Sequence, residues 1–285
     1  MSREPHRLEL LPASAFDEAT LAAVFAAVYA DYYLPLHVDV AAFRAMANWF
    51  DFDLGASRVA RGEAGDEGIV IVATRGLSAW IGGMGVIPGR RRAGTGARLM
   101  RAAFETASAA GAHELWLEVL EQNAPAIALY ERLGFRRERA LEVWSFTAAP
   151  ASRTGLSVAP IPVADAREFL LAHRHAREPW QRADATLDRM LEAGPVVEAS
   201  AVREGSRLLG AGVHRAASGR VSVLQYAAIA DRQADVAAAL IAALSAPDTA
   251  VRLLNVPTDD PAAAVARSSN ATREAGQIEM LRDLP

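Results

Sequence analysis

The chain has 285 residues, a formal net charge of −4 and a pI near 5.9. That length is about twice an ordinary domain of ~150 residues, so two domains are expected, and the acidic balance argues against a nucleic-acid partner. The absence of cysteine excludes disulfides, thiolate zinc sites and a cysteine acyl-enzyme, and all thirty basic residues are arginine.

In chain order, residues 1–7 are too polar for a signal peptide, and no apolar run approaches the ~20 residues a bilayer span needs. The reading is a soluble, cytoplasmic protein with no membrane partner. Leu8 to Pro12 reads as a short strand stopped by proline. From Ala13 to Ala30, Phe16, Leu21, Val24, Phe25, Val28 and Tyr29 recur at helical spacing, with Ser14 or Asp17 placed to cap. Val40 to Trp49 reads as a second helix. Around these two lies an aromatic and acidic group: Tyr29, Asp31, Tyr32, Tyr33, His37, Trp49, Phe50, Asp51 and Asp53. Carboxylates attract an ammonium and aromatic faces hold a cation; the alternative is that the rings are core and the acids a solvated face.

Arg58 to Arg61, Gly68 to Thr74 and Leu77 to Val86 read as three successive strands, the middle one apolar enough to be buried on both faces. The third carries Gly82, Gly83 and Gly85, which weaken a sheet and point to a bulge or to close backbone approach. It runs into Val86-Ile87-Pro88-Gly89-Arg90-Arg91-Arg92-Ala93-Gly94-Thr95-Gly96-Ala97-Arg98-Leu99, a strand, loop and helix start. The first amides of a helix have no partners within it and sit at the positive end of its dipole, so such a loop suits a phosphate or pyrophosphate. Glycines at 94 and 96 keep side chains out of the way, and Arg91 and Arg92 add permanent charge. A helix from Thr95 to Ala110 ends at Gly111. Leu115 to Leu120 then alternates as a strand, with Leu115, Leu117 and Val119 on one face and Trp116, Glu118 and Leu120 on the other. Asn123 to Leu133 is the next helix, and Phe135 to Phe146 supplies closing strands.

Two motifs in this stretch carry a resemblance. The pattern V-x-P-x-x-R-x-x-G-x-G-x-x-L from Val86 to Leu99, followed by N-x-x-A-x-x-L-Y-x-x-x-G-F from Asn123 to Phe135, resembles the GCN5-related N-acetyltransferase (GNAT) superfamily at every fixed position. The block from Leu117 to Tyr130 is most similar to the branch that acetylates protein N-terminal amines. The resemblance implies an α+β fold, a mixed and mostly antiparallel twisted sheet flanked by helices. It also implies acetyl-CoA as cosubstrate, with no metal. Val86, Arg91, Arg92, Ala93, Gly94, Thr95, Gly96 and Asn123 would be on the cofactor side, and Tyr29, Asp31, Tyr32, Tyr33 and Asp53 would be acceptor-side candidates. In that family the strand ending at Val86 splays from its neighbour to admit the pantetheine arm, and a backbone amide near Val86 polarises the thioester carbonyl.

Thr147 to Gly155 has the small, polar, proline-containing composition of a linker, after which the order of elements begins again. Laying Leu115–Phe135 over Val251–Ala271 without a gap pairs Pro125 with Pro261, Ala126 with Ala262, Asn123 with Asp259 and Tyr130 with Ala266. Where the phosphate loop should recur, between Ala227 and Leu240, both glycines are gone and Asp235 falls at the place of Gly94. The chain thus reads as a catalytic domain at 1–149 and a degenerate GNAT-like domain at 156–285; chance similarity of alanine-rich helices is the competing explanation. His173 and His175, read on a helix, do not share a face, which argues against a metal site there.

Acetyl transfer to an amine needs three things: a base for the ammonium, stabilisation of charge on the carbonyl oxygen, and an acid for the departing thiolate. Tyr130 falls on the family's general-acid tyrosine, and Glu118, twelve residues before it, on the carboxylate base, with Asp31 or Asp53 as alternatives. The acceptor would be a peptide N-terminus or a small amine. The competing function is a non-catalytic acyl-CoA sensor, which would need only the loop and Asn123. Whether copies pair as a homodimer stays open.

Overall fold

The computed structural model describes residues 8–33, 37–153, 155–194, 197–217, 219–246 and 248–285. The polar stretch 1–7 and Thr154 of the linker-like stretch lie outside them. The chain divides into two compact units, residues 1–138 with 279–285, and residues 139–278.

The elements run β1 (Glu9–Pro12), α1 (Glu18–Val28), α2 (Val40–Trp49), β2 (Phe52–Gly62), β3 (Gly65–Arg75), β4 (Ser78–Val86), α3 (Thr95–Ala109), β5 (Glu114–Leu120), α4 (Ala124–Arg132) and β6 (Arg136–Phe146). They then repeat, element for element: β7 (Leu156–Ile161), α5 (Val163–His173), α6 (Asp184–Glu192), β8 (Glu198–Glu204), β9 (Arg207–Ala217), β10 (Arg220–Ala228), α7 (Gln233–Leu244), β11 (Ala250–Pro257), α8 (Pro261–Arg267) and β12 (Thr272–Asp283). The division falls inside β6, upstream of the 147–155 stretch: residues 139–146 belong to the second unit, where they pair antiparallel with β11, and the chain's last seven residues belong to the first. The Leu284 amide donates to the His113 carbonyl at 2.8 Å, and the Arg282 guanidinium lies 4.1 Å from the centre of the Phe104 ring.

In the first unit the sheet runs β1-β2-β3-β4-β5, antiparallel except for the β4–β5 pair. Ile69 to Ala73 of β3 are wholly buried, as a central strand covered on both faces requires. Leu21, Phe25 and Val28 of α1, with Phe43 of α2, pack on one face over Val59, Ile69 and Ile71. The buried Leu99, Met100, Ala103 and Ala107 line the inner side of α3, which covers β2, β3 and β4. Asp17 caps α1 through the Thr20 amide, 2.7 Å away; Ala13–Ala15, which the periodicity places in the helix, form a separate 3-10 turn. Phe135–Phe146, expected as closing strands, is the single strand β6. In the second unit β11, β10, β9, β8 and β7 follow β6 in order, with α7 and α8 sharing one apolar core and α5 and α6 another.

Candidate active site

The site is built where β4 and β5 part. Ser78, Ala79 and Trp80 pair in parallel with Glu114, Leu115 and Trp116, and the pairing of the two strands ends there. On its other edge β4 bulges at Gly82, since Ile71 faces Gly83 while Val72 faces Ile81. The glycines are required by close approach: a Cβ at Gly83 would stand 2.5 Å from the Phe25 ring, and one at Gly85 2.8 Å from Val28. Helix α1 therefore lies directly on β4 and brings the residues after it, Tyr29 to Tyr33, to the opening.

Glu118 sits on β5 just past the last paired position, its Oε2 accepting from the Trp80 indole N–H at 2.7 Å. The alternation read from sequence holds as far as Val119: Leu115, Leu117 and Val119 are buried and Trp116 and Glu118 half-buried, but Leu120, expected with the latter two, is buried as well. Asn123 is the N-cap of α4, where Oδ1 accepts from the Ala126 amide at 3.3 Å. Two turns further on, Tyr130 is buried, and its hydroxyl makes no hydrogen bond among the described residues. Burial, with Tyr29 and Tyr32 close by, pushes its phenol far above the ordinary value, so it is held protonated. Tyr29 accepts from the Met84 amide of β4 at 3.1 Å, and its ring meets that of Tyr32 edge-on with centroids 4.9 Å apart. Tyr33 is half-exposed and continues the row.

The acidic candidates are placed otherwise. Asp31 forms a bidentate pair with Arg91, at 2.7 and 2.8 Å, and the Arg91 Nε donates to the Val86 carbonyl at 2.9 Å. This arginine therefore ties the end of α1 to the end of β4, and it holds the Asp31 carboxyl below the usual range. Asp53 turns inward onto the Ala56 amide at 2.8 Å and holds the bulge where β2 slips register against β3. Asp51, at φ 56°, pairs with Arg75 at 2.8 Å. Of the expected acceptor-side group, the tyrosines reach the opening, whereas all three aspartates serve the framework. Trp80 and Met84, which hold Glu118 and face Tyr29, were not singled out from sequence; a tryptophan in β4 carries no local signal of its bond to a carboxylate 38 residues on, in the neighbouring strand.

The loop from Ile87 to Gly94 is exposed and leads into α3 with Arg92 at φ 69° and Gly94 at φ 86° as N-cap. Space does not call for glycine at 94, where a Cβ would meet nothing within 4 Å; the left-handed φ of 86° does. Arg90 lies 3.7 Å from Glu67 and Arg91 is held by Asp31, which leaves Arg92 the loop arginine without an ion pair among the described residues. Ala93 is exposed beside it, Gly96 has ordinary space toward Leu129, and the buried Thr95 hydroxyl has no hydrogen-bond partner. An orphaned hydroxyl at the first turn of a helix, free amides and an unpaired guanidinium fit a pyrophosphate, and the parted strands fit an extended arm leading from it.

The second unit repeats the framework and closes it. Strand β10 pairs in parallel with β11 from Arg220 to Val223, and it too bulges one residue later, at Leu224. There the buried Arg182 crosses the opening: its Nε donates to the Leu224 carbonyl at 2.9 Å and its Nη1 to the Leu254 carbonyl at 3.3 Å, with Glu178 paired at 3.1 Å. The turn before α7 spans only 229–232, against 87–94 in the first unit. The shorter turn corrects the expected alignment. Arg232, not Asp235, is the residue before the helix, and Asp235 lies inside it, paired with Arg232 at 3.0 Å. Likewise the cap of α8 is Asp260, not Asp259, because α8 begins at its proline and α4 one residue before its own. Helix α5 ends at His173, so His175 lies beyond it, 3.3 Å from Asp260, whose other oxygen accepts from Tyr226 and the Ala262 amide.

Residues 59–135 match the acetyltransferase (GNAT) family. A streptothricin acetyltransferase from Streptomyces lavendulae is 54% identical over 50 residues, which is 18% of this chain and 26% of that protein; the matched stretch thus spans about a quarter of that relative. Among solved structures, a GCN5-related N-acetyltransferase from Sphaerobacter thermophilus superposes with a TM-score of 0.74 at 15% identity, over 97% of this chain and 96% of that one. A tandem GNAT protein from the clavulanic acid biosynthesis pathway superposes with a TM-score of 0.71 at 17% identity, over 98% and 99%. Residues 59–135 thus carry the GNAT family's sequence signature, and the chain as a whole has the fold of these GNAT structures, a tandem one among them. No helix among the described residues is long and apolar enough to cross a membrane.

Proposed function

We propose that the first unit is an acetyl-CoA-dependent N-acetyltransferase acting on a primary amine. The observation that carries this reading is the convergence on one parted strand pair of Glu118, Asn123 and a buried, protonated Tyr130. Acetyl-CoA supplies an activated acyl group as a thioester. The amides at the start of α3, with Thr95 and Arg92, would hold its pyrophosphate, and Asn123 and the open edge of β4 its arm. Glu118, oriented by Trp80, takes the proton from the acceptor ammonium. Tyr130 gives its proton to the sulfur that leaves, a role suited to a phenol that burial keeps neutral. The acceptor is a small-molecule amine; the name of the streptothricin acetyltransferase relative places streptothricin first among compounds to try, with other amines and short peptides beside it. Thiol release from acetyl-CoA across that panel tests the reading. Turnover with one class and its loss in Tyr130→Phe supports it; tight acetyl-CoA binding with no turnover across the panel favours the sensor.

A further inference from the structure

In the first unit, the N–H of Met84 faces the opening between β4 and β5, but it is not bare. The Tyr29 hydroxyl caps it at 3.1 Å and lies only 3.4 Å from the Met84 carbonyl. Tyr29 is fixed there by packing: its ring meets Phe25 at 5.0 Å and Tyr32 at 4.9 Å, and a Cβ on Gly83 would stand 3.4 Å from its hydroxyl. A hydroxyl that accepts from an amide becomes a better donor, and the bond from Tyr29 to the Met84 carbonyl is at the long end of the range, so its proton is available to a stronger acceptor.

We propose that Tyr29 is a catalytic residue, the donor that stabilises negative charge on the thioester carbonyl oxygen, with the Met84 amide acting through it. This rests on the acetyl-transfer reading above, and it changes one part of what the family resemblance implies, a backbone amide in direct contact with that oxygen. No proton leaves Tyr29. As the amine nitrogen adds to the carbonyl carbon, an electron pair moves onto the oxygen, where the phenol O–H donates to it. Glu118 has by then taken one proton from the acceptor ammonium; when the pair returns the C–S bond breaks, sulfur takes the Tyr130 proton, and the second proton leaves the acceptor nitrogen to water, from which Tyr130 is reprotonated. Two phenols in one cleft thus divide the work, one donating a hydrogen bond and the other a proton. Both are held neutral by burial.

The test uses the full chain with acetyl-CoA labelled with carbon-13 at the acetyl carbonyl. In the wild type the carbonyl stretch of the bound thioester should fall below its value in water. In Tyr29→Phe it should move back up, with turnover lower by about a hundredfold, the usual loss on removing one such donor. CoA, which lacks the carbonyl, should bind the variant as it binds the wild type, and that measurement reports an intact cleft. If the variant does not fold, 3-fluorotyrosine incorporated at position 29 should lower the stretch further, since its phenol is the stronger donor. A carbonyl stretch indifferent to position 29 overturns the assignment and leaves the acetyl-transfer reading standing. A wild-type chain that binds neither CoA nor acetyl-CoA overturns both.

Discussion

In both units a bulged strand runs parallel to its neighbour for a few residues and then leaves it, and the contents of the opening set the two apart. Beyond Trp80 the first unit presents polar side chains that chemistry can use, Glu118 and the tyrosines, and a loop long enough to turn backbone amides outward. Beyond Val223 the second unit spans the same opening with the Arg182 guanidinium, bonded to a carbonyl on each strand, and its loop is half as long. A parted strand pair leaves backbone groups that must find partners. In the first unit the Tyr29 hydroxyl meets that requirement at Met84 and, on the proposed reading, an incoming arm meets the rest; in the second, Arg182 meets it at Leu224 and Leu254. On that reading one fold serves as a binding framework in one unit and is bridged internally in the other.

The largest expected effect is at Tyr130. Replacing it with Phe keeps the ring and removes the proton, so turnover should fall by about a hundredfold or more while acetyl-CoA affinity measured by calorimetry holds. Equal turnover would remove Tyr130 as the acid. Next comes the staple of the second unit. Arg182→Met strands the buried Glu178 and two strand carbonyls, and should destabilise the chain by about 3 kcal/mol in chemical denaturation. A variant as stable as wild type would mean that the opening is closed by packing alone.

The smallest effect concerns pH. The hydrogen bond that His175 donates to Asp260 raises the pKa of His175, so its contribution to stability is full below the unfolded-state value of about 6.5 and is lost as pH rises through the folded-state value. Burial pushes the Asp260 carboxyl up, but His175 and Tyr226 outweigh it and hold its pKa down; its contribution is present above about pH 4 and lost on acidification. Between those limits both partners are charged. The melting temperature of wild type minus that of His175→Asn should therefore shrink from pH 6 to pH 9, and a constant difference would contradict the pairing.

Much of this was legible in the residues because it is local. The bounds of α2, the left-handed Gly94 before α3 and the bulge among the glycines of β4 follow from caps, periodicity and backbone permissiveness. What was not legible depends on distant partners. Asp31 and Asp53 have the composition of a cation site, yet one pairs with an arginine sixty residues away and the other holds a bulge in its own strand. The start of β2 looks like a turn because Asp53 and Gly55 are turn residues, and only the sheet makes it strand. The ungapped alignment set Asp259 against Asn123 because it could not show that α8 begins one residue later than α4, and the separate placement of Asp235 against Gly94 took no account of a shortened loop. Arg182 carries no motif, since its role is defined by two carbonyls from strands it does not belong to.

The contrast between the two openings is tested most directly by calorimetry of the full chain with acetyl-CoA, beside Gly94→Asp. That substitution sets a carboxylate and a strained left-handed residue at the head of α3 and leaves the second unit untouched. One molecule of acetyl-CoA should bind per chain, and the variant should bind none. Two bound per chain, or one that survives Gly94→Asp, would place coenzyme in the second unit and contradict the account.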